Sequence, residues 1–492
     1  MAESTYPAHL FPNVPLQAEW PESYKIGGFH PISLNDTFND CYVVFRKLGH
    51  DGVSTSWLAV DKRTNRYVTL RIFKADNSKT KSFEETFTPE TSLQNHPGAK
   101  HLAAKINSFS FDGPNGNHTC IVSEPLGREY REVIYNQNYS SQFRREVCRQ
   151  FVQAIDYLHS QRIMHRSFDS TKIRFELTYD LNTLKTNEIQ KDAWSDEDVQ
   201  GDQDSMTADD WAAMNFRRQA NWMNILERSD GLPLSKHHPA YTILASPLDD
   251  GLKPNLKALQ NFSIKLTNLS SACKFKDCND GTKPYEIETR APEVILQQPY
   301  NENADIWALA TVLYEMVTGG TNMLGAMRRL DEEQQDDDHM IFLIERFGKL
   351  PDFIRSKWTR ANEFLDDVGN ILNPDEGGAS CQQGDLLQGV MENKPEDMSD
   401  AEALAFHGLL MKMLDFEPIL NDQERILKTS DDEDVAKRLL KLLPSIFPPS
   451  SSTLEPSIFF YDDLSMRNIL IDDDGKITGA VDWKCASALP LW

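Results

Sequence analysis

The spacing of apolar positions changes along the chain, and each change marks a region. Residues 1–41 hold no sustained period; they are rich in Pro, aromatics and turn formers and read as an extended arm. From Tyr42, apolar and β-branched residues crowd into short runs: CYVVFRKLG, STSWLAVD and YVTLRIFKA, the last two separated by the turn DKRTNR. KINSFSFD, a tight GPNG and HTCIVSEPLG then read as a further hairpin. Five strands in this order predict an antiparallel sheet.

The period next becomes helical. RREVCRQFVQAIDYLHSQ places Val147, Phe151, Ile155 and Leu158 on one apolar face. ADIWALATVLYEMVTGG (304–320) is apolar almost all round and ends in a glycine pair, which predicts a buried helix. AEALAFHGLLMKMLDF (401–416) predicts another. Residues 180–260 read as an insertion whose middle, SDEDVQGDQDSMTADD, is too acidic and too poor in hydrophobics to order itself. Within it TADDWAAMNF carries Thr207 and Asp210 at capping-box spacing, a helix start. The acidic DEEQQDDDH (331–339) reads as a solvated loop. Beyond Pro418 come a helix-like EDVAKRLLKLL, a turn or linker FPPSSS, and a strand-rich tail, SIFFYDDLSMRNILIDDDGKITGAVDW. Strands first and helices after make this an α+β chain.

Composition narrows the class. At 492 residues the chain is too long for one core and suits two or three domains. Asp and Glu number 75 against 51 Lys and Arg, a formal net charge of −24. That balance disfavours direct nucleic-acid or anionic-membrane binding and suits basic partners. The cysteines are scattered; only Cys273 and Cys278 stand close, with no second pair to complete a zinc site. Reduced thiols and an N-terminus that is neither basic nor apolar predict an intracellular protein without a signal peptide. No apolar run approaches the roughly 18 residues of a membrane span.

Candidate chemistry begins at MHRSFDSTKI (164–173). A protein kinase catalytic loop reads H-R-D-x-x-x-x-N. Here His165 and Arg166 are followed by Ser167 at the base position and Lys172 at the metal-binding asparagine position. Serine cannot accept a proton at neutral pH as a carboxylate does. Asp169, two residues on, is the nearest stand-in. Lys172 offers a positive charge in place of the metal, which would permit nucleotide binding without magnesium; a solvated lysine is the other reading.

The remaining kinase parts follow the same division. In LGHDGVSTSW, Gly49 and Gly52 are present, but Asp51 stands at the second glycine position and Ser54 at the third. A carboxylate facing a phosphate at ~5 Å, with an effective dielectric of ~20, is repelled by about 3 kcal/mol. YVTLRIF places Arg71 where the phosphate-binding lysine belongs, either as a phosphate tether or as a structural strand arginine. Its carboxylate partner is one of Glu84, Glu85 and Glu90, in a short segment interrupted by Pro89. FSIKLTNLSSAC gives Asn268-Leu269-Ser270 at the metal-binding D-F-G, and Asn is a poorer magnesium ligand than Asp. By contrast Ala291-Pro292-Glu293 keeps the A-P-E motif, and Asp305 opens a buried helix, placed to hold the catalytic-loop backbone. The supporting parts remain while the chemical parts have changed.

Residues 24–418 resemble the SR-protein kinases (serine/arginine-rich-protein kinases), in the divergent form common in fungi. The resemblance rests on YKIGGFHPISLNDTFNDCYVVFRKLGHDGVSTSWLAVD, GPNGNHTCIVSEPLG, HHPAYTI, FSIKLTNLSSAC and TRAPEVIL followed by ADIWALA. It implies a bilobal protein-kinase-like fold, with a β-rich N-lobe over 42–127 and a helical C-lobe over 128–418 carrying the 180–260 insert. It also implies an ATP cleft at Glu124–Gly127, Arg/Ser-rich protein substrates, and a cytoplasmic or nuclear location.

The tail, FFYDDLSMRNILIDDDGKITGAVDWKCASALPLW, resembles the aminoglycoside phosphotransferase family from near residue 419. There Asp463 matches the base, and Asn468 and Asp482 match metal ligands, while Tyr461 and Lys484 depart from the pattern. A strand, loop and strand bury too little to fold alone, so 419–492 reads as an appended fragment. The resulting expectation is a pseudokinase used for binding, with ATP as its implied cofactor and weak or magnesium-free nucleotide binding. The alternative is an ATP-dependent Ser/Thr kinase working through Asp169 or Asp463.

Overall fold

The computed structural model describes residues 10–11, 18–79, 82–90, 93, 95–135, 139–184, 189, 223–248, 262–278, 283–320, 323, 331–372, 386–414 and 416, and the strand segments 457–461, 469–471, 477–480 and 486–490. The chain divides into two compact units. The first comprises residues 1–133, 171–254 and 260–272; the second comprises 134–170, 255–259 and 273–492.

The first unit is built on an antiparallel sheet of β1 (Thr37–Phe38), β2 (Tyr42–His50), β3 (Ser54–Asp61), β4 (Arg66–Phe73), β5 (Lys105–Gly113) and β6 (Gly116–Ser123). Its strand order is β1-β2-β3-β4-β6-β5. The predicted five-strand sheet is present, and the short β1 from the arm adds a sixth edge strand. Tyr42, Val44, Trp57, Ala59, Val68, Leu70, Ile72, Cys120 and Val122 form one core cluster on the sheet. β2 carries register shifts at Val44/Arg46 and at Lys47/Gly49, which bend it where the glycine motif begins.

The arm is less loose than its composition suggests. Phe29, Ile32 and Phe38 are buried. Glu19 is buried as well, accepting from both the Lys47 ammonium of β2 and the Tyr24 hydroxyl. A buried lysine without such a partner would be strongly destabilising, so the arm is part of the folded unit. Both shoulders of the insert also end on the sheet. Arg46 donates to the carbonyls of Ile189 (2.8 Å), Ser246 (2.9 Å) and Pro247 (2.6 Å). The predicted helix at TADDWAAMNF and the acidic middle of the insert lie outside the described residues.

Two further pairs of short strands belong to this unit. Strands β8 (Ile173–Phe175) and β11 (Ile264–Leu266) pair antiparallel, which sets Thr267 against Lys172. Strands β9 (Met223–Ile225) and β10 (Tyr241–Ile243) pair within the insert. Strand β7 (Ile163–Met164) belongs to the second unit.

The second unit is helical. Helix α2 (Ser141–Ser160) is capped by Ser140, whose side chain accepts from the Phe143 N–H. Helix α3 (Asn303–Thr318) is buried on nearly every side, as its sequence predicts, and ends at Gly319 in the left-handed region, φ 81°. Helix α5 (Asp400–Met413) opens with a Ser399/Glu402 capping box.

The acidic run 331–339 is a correction: it is no loop but the first half of α4 (Glu332–Phe347). Asp331 caps the helix by accepting from the Gln334 N–H, and acidic residues suit the positive end of the helix dipole. Met340, Leu343 and Ile344 bury one face, while Asp337 turns inward to Trp358 Nε1 (2.8 Å) and Arg360 (2.6 Å). Charge density masked an apolar period that becomes visible only in its second half. The strand-rich tail is present as two antiparallel pairs, 457–461 with 486–490 and 469–471 with 477–480.

Candidate functional site

Strands β2 and β3 and the turn between them carry the glycine motif. An added Cβ at Gly49 or Gly52 would meet no atom within 4 Å, and neither glycine takes a positive φ. Neighbouring Asp51 is committed. Its Oδ1 accepts from Val53 N (2.9 Å), Ser54 N (2.6 Å) and Ser54 Oγ (2.9 Å). Burial alone would raise its carboxyl; the Arg71 charge and these hydrogen bonds outweigh that and hold it below the ordinary range.

Arg71 is the hub. It sits on β4, opposite Ser56 of β3, with its side chain 13% exposed. Nε donates to Ser54 Oγ (2.9 Å), Nη2 to Asp51 Oδ2 (3.0 Å) and Nη1 to Asn268 Oδ1 (2.6 Å). Nη1 also lies 3.7 Å from the Glu84 carboxylate, and the guanidinium lies 4.6 Å from the Phe73 ring centre. Four of these residues stand at positions where a kinase would hold phosphate and metal, and here they hold one another.

Of the three candidate partners of Arg71, the structure selects Glu84. It lies on α1, a single turn over Phe83–Thr86. Glu85 is spent in that turn's capping box with Ser82, and Glu90 is exposed. Burial pushes the Glu84 carboxyl up, against the pull of Arg71 and Lys105.

Asn268 takes a left-handed backbone, φ 65°, which Asn tolerates better than most residues. The atom facing Arg71 is its oxygen, since a guanidinium only donates. That oxygen accepts from Arg71, from the Ser270 hydroxyl and from Ser270 N (3.4 Å), so a cation would have to displace one of these donors. Lys172 donates to Thr171 Oγ1 (3.2 Å), and its carbonyl accepts from Thr267 N (2.9 Å). The segment Glu124–Gly127 follows β6. Glu124 accepts from Ala104 N (2.8 Å), with Lys265 at 3.4 Å, and Gly127 N donates to the Phe175 carbonyl (2.8 Å).

The second unit holds residues 164–170 of the MHRSFDSTKI segment. Asp305, fully buried at the start of α3, organises them. Its Oδ2 contacts His159 Nε2 (3.0 Å) and accepts from His165 N (2.9 Å). Its Oδ1 accepts from Arg166 N (3.1 Å) and Tyr285 Oη (2.7 Å). Burial would raise this carboxyl, but His159, Tyr285 and His165 N together hold it low. Arg166 takes a left-handed backbone, φ 66°. Ser167 and Asp169 are half-buried, while Phe168 between them is fully buried against Phe151 and His165. Asp305 thus has the loop-holding role expected from sequence. Among the described residues no cluster of three or more His, Cys, Asp or Glu is arranged to hold a metal. Asp463, Asn468 and Asp482 lie outside the described residues.

Sequence reasoning weighed the substituted positions one at a time and missed that they bond to each other. The available signal was their complementarity: a new acid at Asp51 beside a wider cation at Arg71.

Comparison with known proteins accords with this geometry. A family model described as a protein kinase domain matches residues 42–170 and 252–410. A second, described as a phosphotransferase enzyme family, matches residues 365–492. The "Serine/threonine-protein kinase SRPK" of Physarum polycephalum is 26% identical over 412 residues, 81% of this chain and 87% of its own. "Protein kinase dsk1" of Schizosaccharomyces pombe is 24% identical over 72% of this chain and 74% of its own. Human "SRSF protein kinase 3" is 33% identical over 161 residues, 30% of this chain and 28% of its own. The chain belongs to the protein kinase family, resembles the Physarum SRPK along most of its length, and over residues 365–492 resembles the phosphotransferase enzyme family.

Proposed function

We propose that the chain is a pseudokinase: an SR-protein-kinase-like domain that binds partners and does not transfer phosphate through a conventional site. Arg71 carries this reading. Its guanidinium is engaged by Asp51, Ser54, Asn268 and Glu84, so the charge that would grip a nucleotide is neutralised from within. Ser167 supplies no base, and magnesium at the Asn268 oxygen would have to displace Arg71 or Ser270. Any ATP that binds must displace Asp51 from Arg71 and does so without gaining a metal bridge. The bound partner is a basic or Arg/Ser-rich protein inside the cell. The net charge of −24 and the family of the chain support that choice.

Calorimetry with ATP, with and without magnesium, tests the proposal. The expected result is absent or weak binding that magnesium does not strengthen, and no phosphate incorporated into an Arg-Ser repeat peptide. Magnesium-dependent binding together with phosphate transfer that Asp169→Ala or Asp463→Ala abolishes would overturn it in favour of an unconventional Ser/Thr kinase.

A further inference from the structure

In the second unit, strand β12 (Cys273–Lys274) pairs with β7, and the 3-10 turn Phe275–Asp277 that follows brings the chain back on itself. The result places the thiols of Cys273 and Cys278 in direct contact, Sγ to Sγ 2.8 Å. The Cys278 sulfur also touches Met164 Sδ and the Lys274 carbonyl, each at 3.1 Å. Cys273 bears on the catalytic loop itself, because the Arg166 side chain reaches its sulfur.

We infer that Cys273 and Cys278 are a redox modification site that closes to a disulfide on reaction with a hydroperoxide and reopens with a dithiol reductant. The two thiols are unlike. The Cys278 hydrogen bond and the Arg166 charge hold the Cys273 thiol low, which favours its thiolate, while Cys278 is pushed up and keeps its proton. Cys273 is also the more accessible, at 8% exposure against 0% for Cys278. Its thiolate attacks one peroxide oxygen. An S–O bond forms, the O–O bond breaks, and the departing oxygen takes a proton from solvent to leave as an alcohol or water. Cys278 sulfur then displaces hydroxide from the sulfenic acid. The S–S bond forms as the S–O bond breaks, and the thiol proton leaves with the hydroxide as water. The two sulfurs are oxidised and the peroxide is reduced.

The other described cysteines lack this arrangement. Burial pushes the thiols of Cys41 and Cys120 up, and that of Cys148 to about 12. The contacts of Cys120 and Cys148 are a carbonyl and the thioether of Met316. Oxidation would remove the thiolate that Arg166 faces. Arg166 also donates its N–H to Asp305 and accepts from Tyr285 N (2.7 Å), so the modification acts on the Asp305 hub.

Peptide mapping of the reduced full-length chain treated with hydrogen peroxide, with free thiols then alkylated under denaturing conditions, tests this directly. Trypsin cuts after Lys274 and Lys276, so the disulfide joins peptide 266–274 to peptide 277–290. The expected product is that linked pair, lighter than the sum of its parts by a pair of hydrogens and separated by dithiothreitol. It forms at least about tenfold faster than any oxidation at Cys41, Cys120 or Cys148. In Cys278→Ser the link disappears and a sulfenic acid at Cys273 is captured by dimedone. Full alkylation of both thiols at peroxide doses that already oxidise Cys41 would overturn the inference, as would a link to Cys381 or Cys485 instead. The wild-type map decides the matter even where the variant fails to fold.

Discussion

Asp305, fully buried, and Arg71, half-buried, are two charges that solve the same problem in opposite ways. Each must find compensating partners, because an unpaired buried charge is strongly destabilising. Asp305 finds backbone amides, a histidine and a tyrosine, all of which serve to fix the shape of the catalytic loop. Arg71 finds side chains at the positions that would otherwise meet phosphate and metal. Shape can therefore persist while the residues at the ligand positions change. The loop-holding network is indifferent to substitution of the ligands, and the substituted ligands have satisfied each other.

The comparison breaks most easily at Asp305. Asp305→Ala leaves two amides, a histidine and a tyrosine hydroxyl without their acceptor, and a loss of about 3–5 kcal/mol in denaturant unfolding is expected. A loss under 1 kcal/mol would mean that the loop is held elsewhere. Next comes Asp51→Gly, which removes a carboxylate and frees Arg71 Nη2. Nucleotide affinity by calorimetry should rise about tenfold, equivalent to ~1.4 kcal/mol, while Asp305→Asn should leave it unchanged. An unaltered affinity in Asp51→Gly would show that Asp51 does not compete with phosphate.

Ser54→Ala takes away one donor and one acceptor from the same cluster and should cost about 1 kcal/mol in thermal unfolding. The smallest effect is a change of shape with pH. A carboxyl held low in the folded chain stabilises it fully above the ordinary carboxylate range and loses that contribution as pH falls through its lowered folded value. The stability gap between wild type and Asp51→Asn should thus stay level from pH 7 to about 4 and close below that. A gap that closes between pH 7 and 5 would mean that Arg71 does not hold Asp51 low.

Much of this was legible in the sequence. Strand and helix periods located the sheet, α2, α3 and α5, because each buries a face of regular spacing. Asp305 was readable from its place at the mouth of a buried helix. What was hidden depends on distance in space. The arm looked loose because Glu19 finds Lys47 only once β2 is folded. The run 331–339 looked solvated because its buried face begins after the charges. Asn268 and Asp51 read as separate losses, since nothing in their spacing reveals that one arginine from β4 reaches both. Cys273 and Cys278 were noted as near neighbours, but their contact required the turn between them.

Arg46 gathers the two ends of the insert at one guanidinium, so the segment between residues 189 and 246 leaves and re-enters the fold at almost the same place. Chain that departs and returns through one anchored doorway closes a loop, and doubling the length of such a loop adds only about 0.6 kcal/mol. A change of length between residues 189 and 223 is cheap for that reason, whereas replacement further on is not: Ile243 lies in the core cluster on the sheet, its carbonyl accepts from Lys47 Nζ (3.0 Å), and Tyr241 Oη accepts from Leu34 N (3.0 Å).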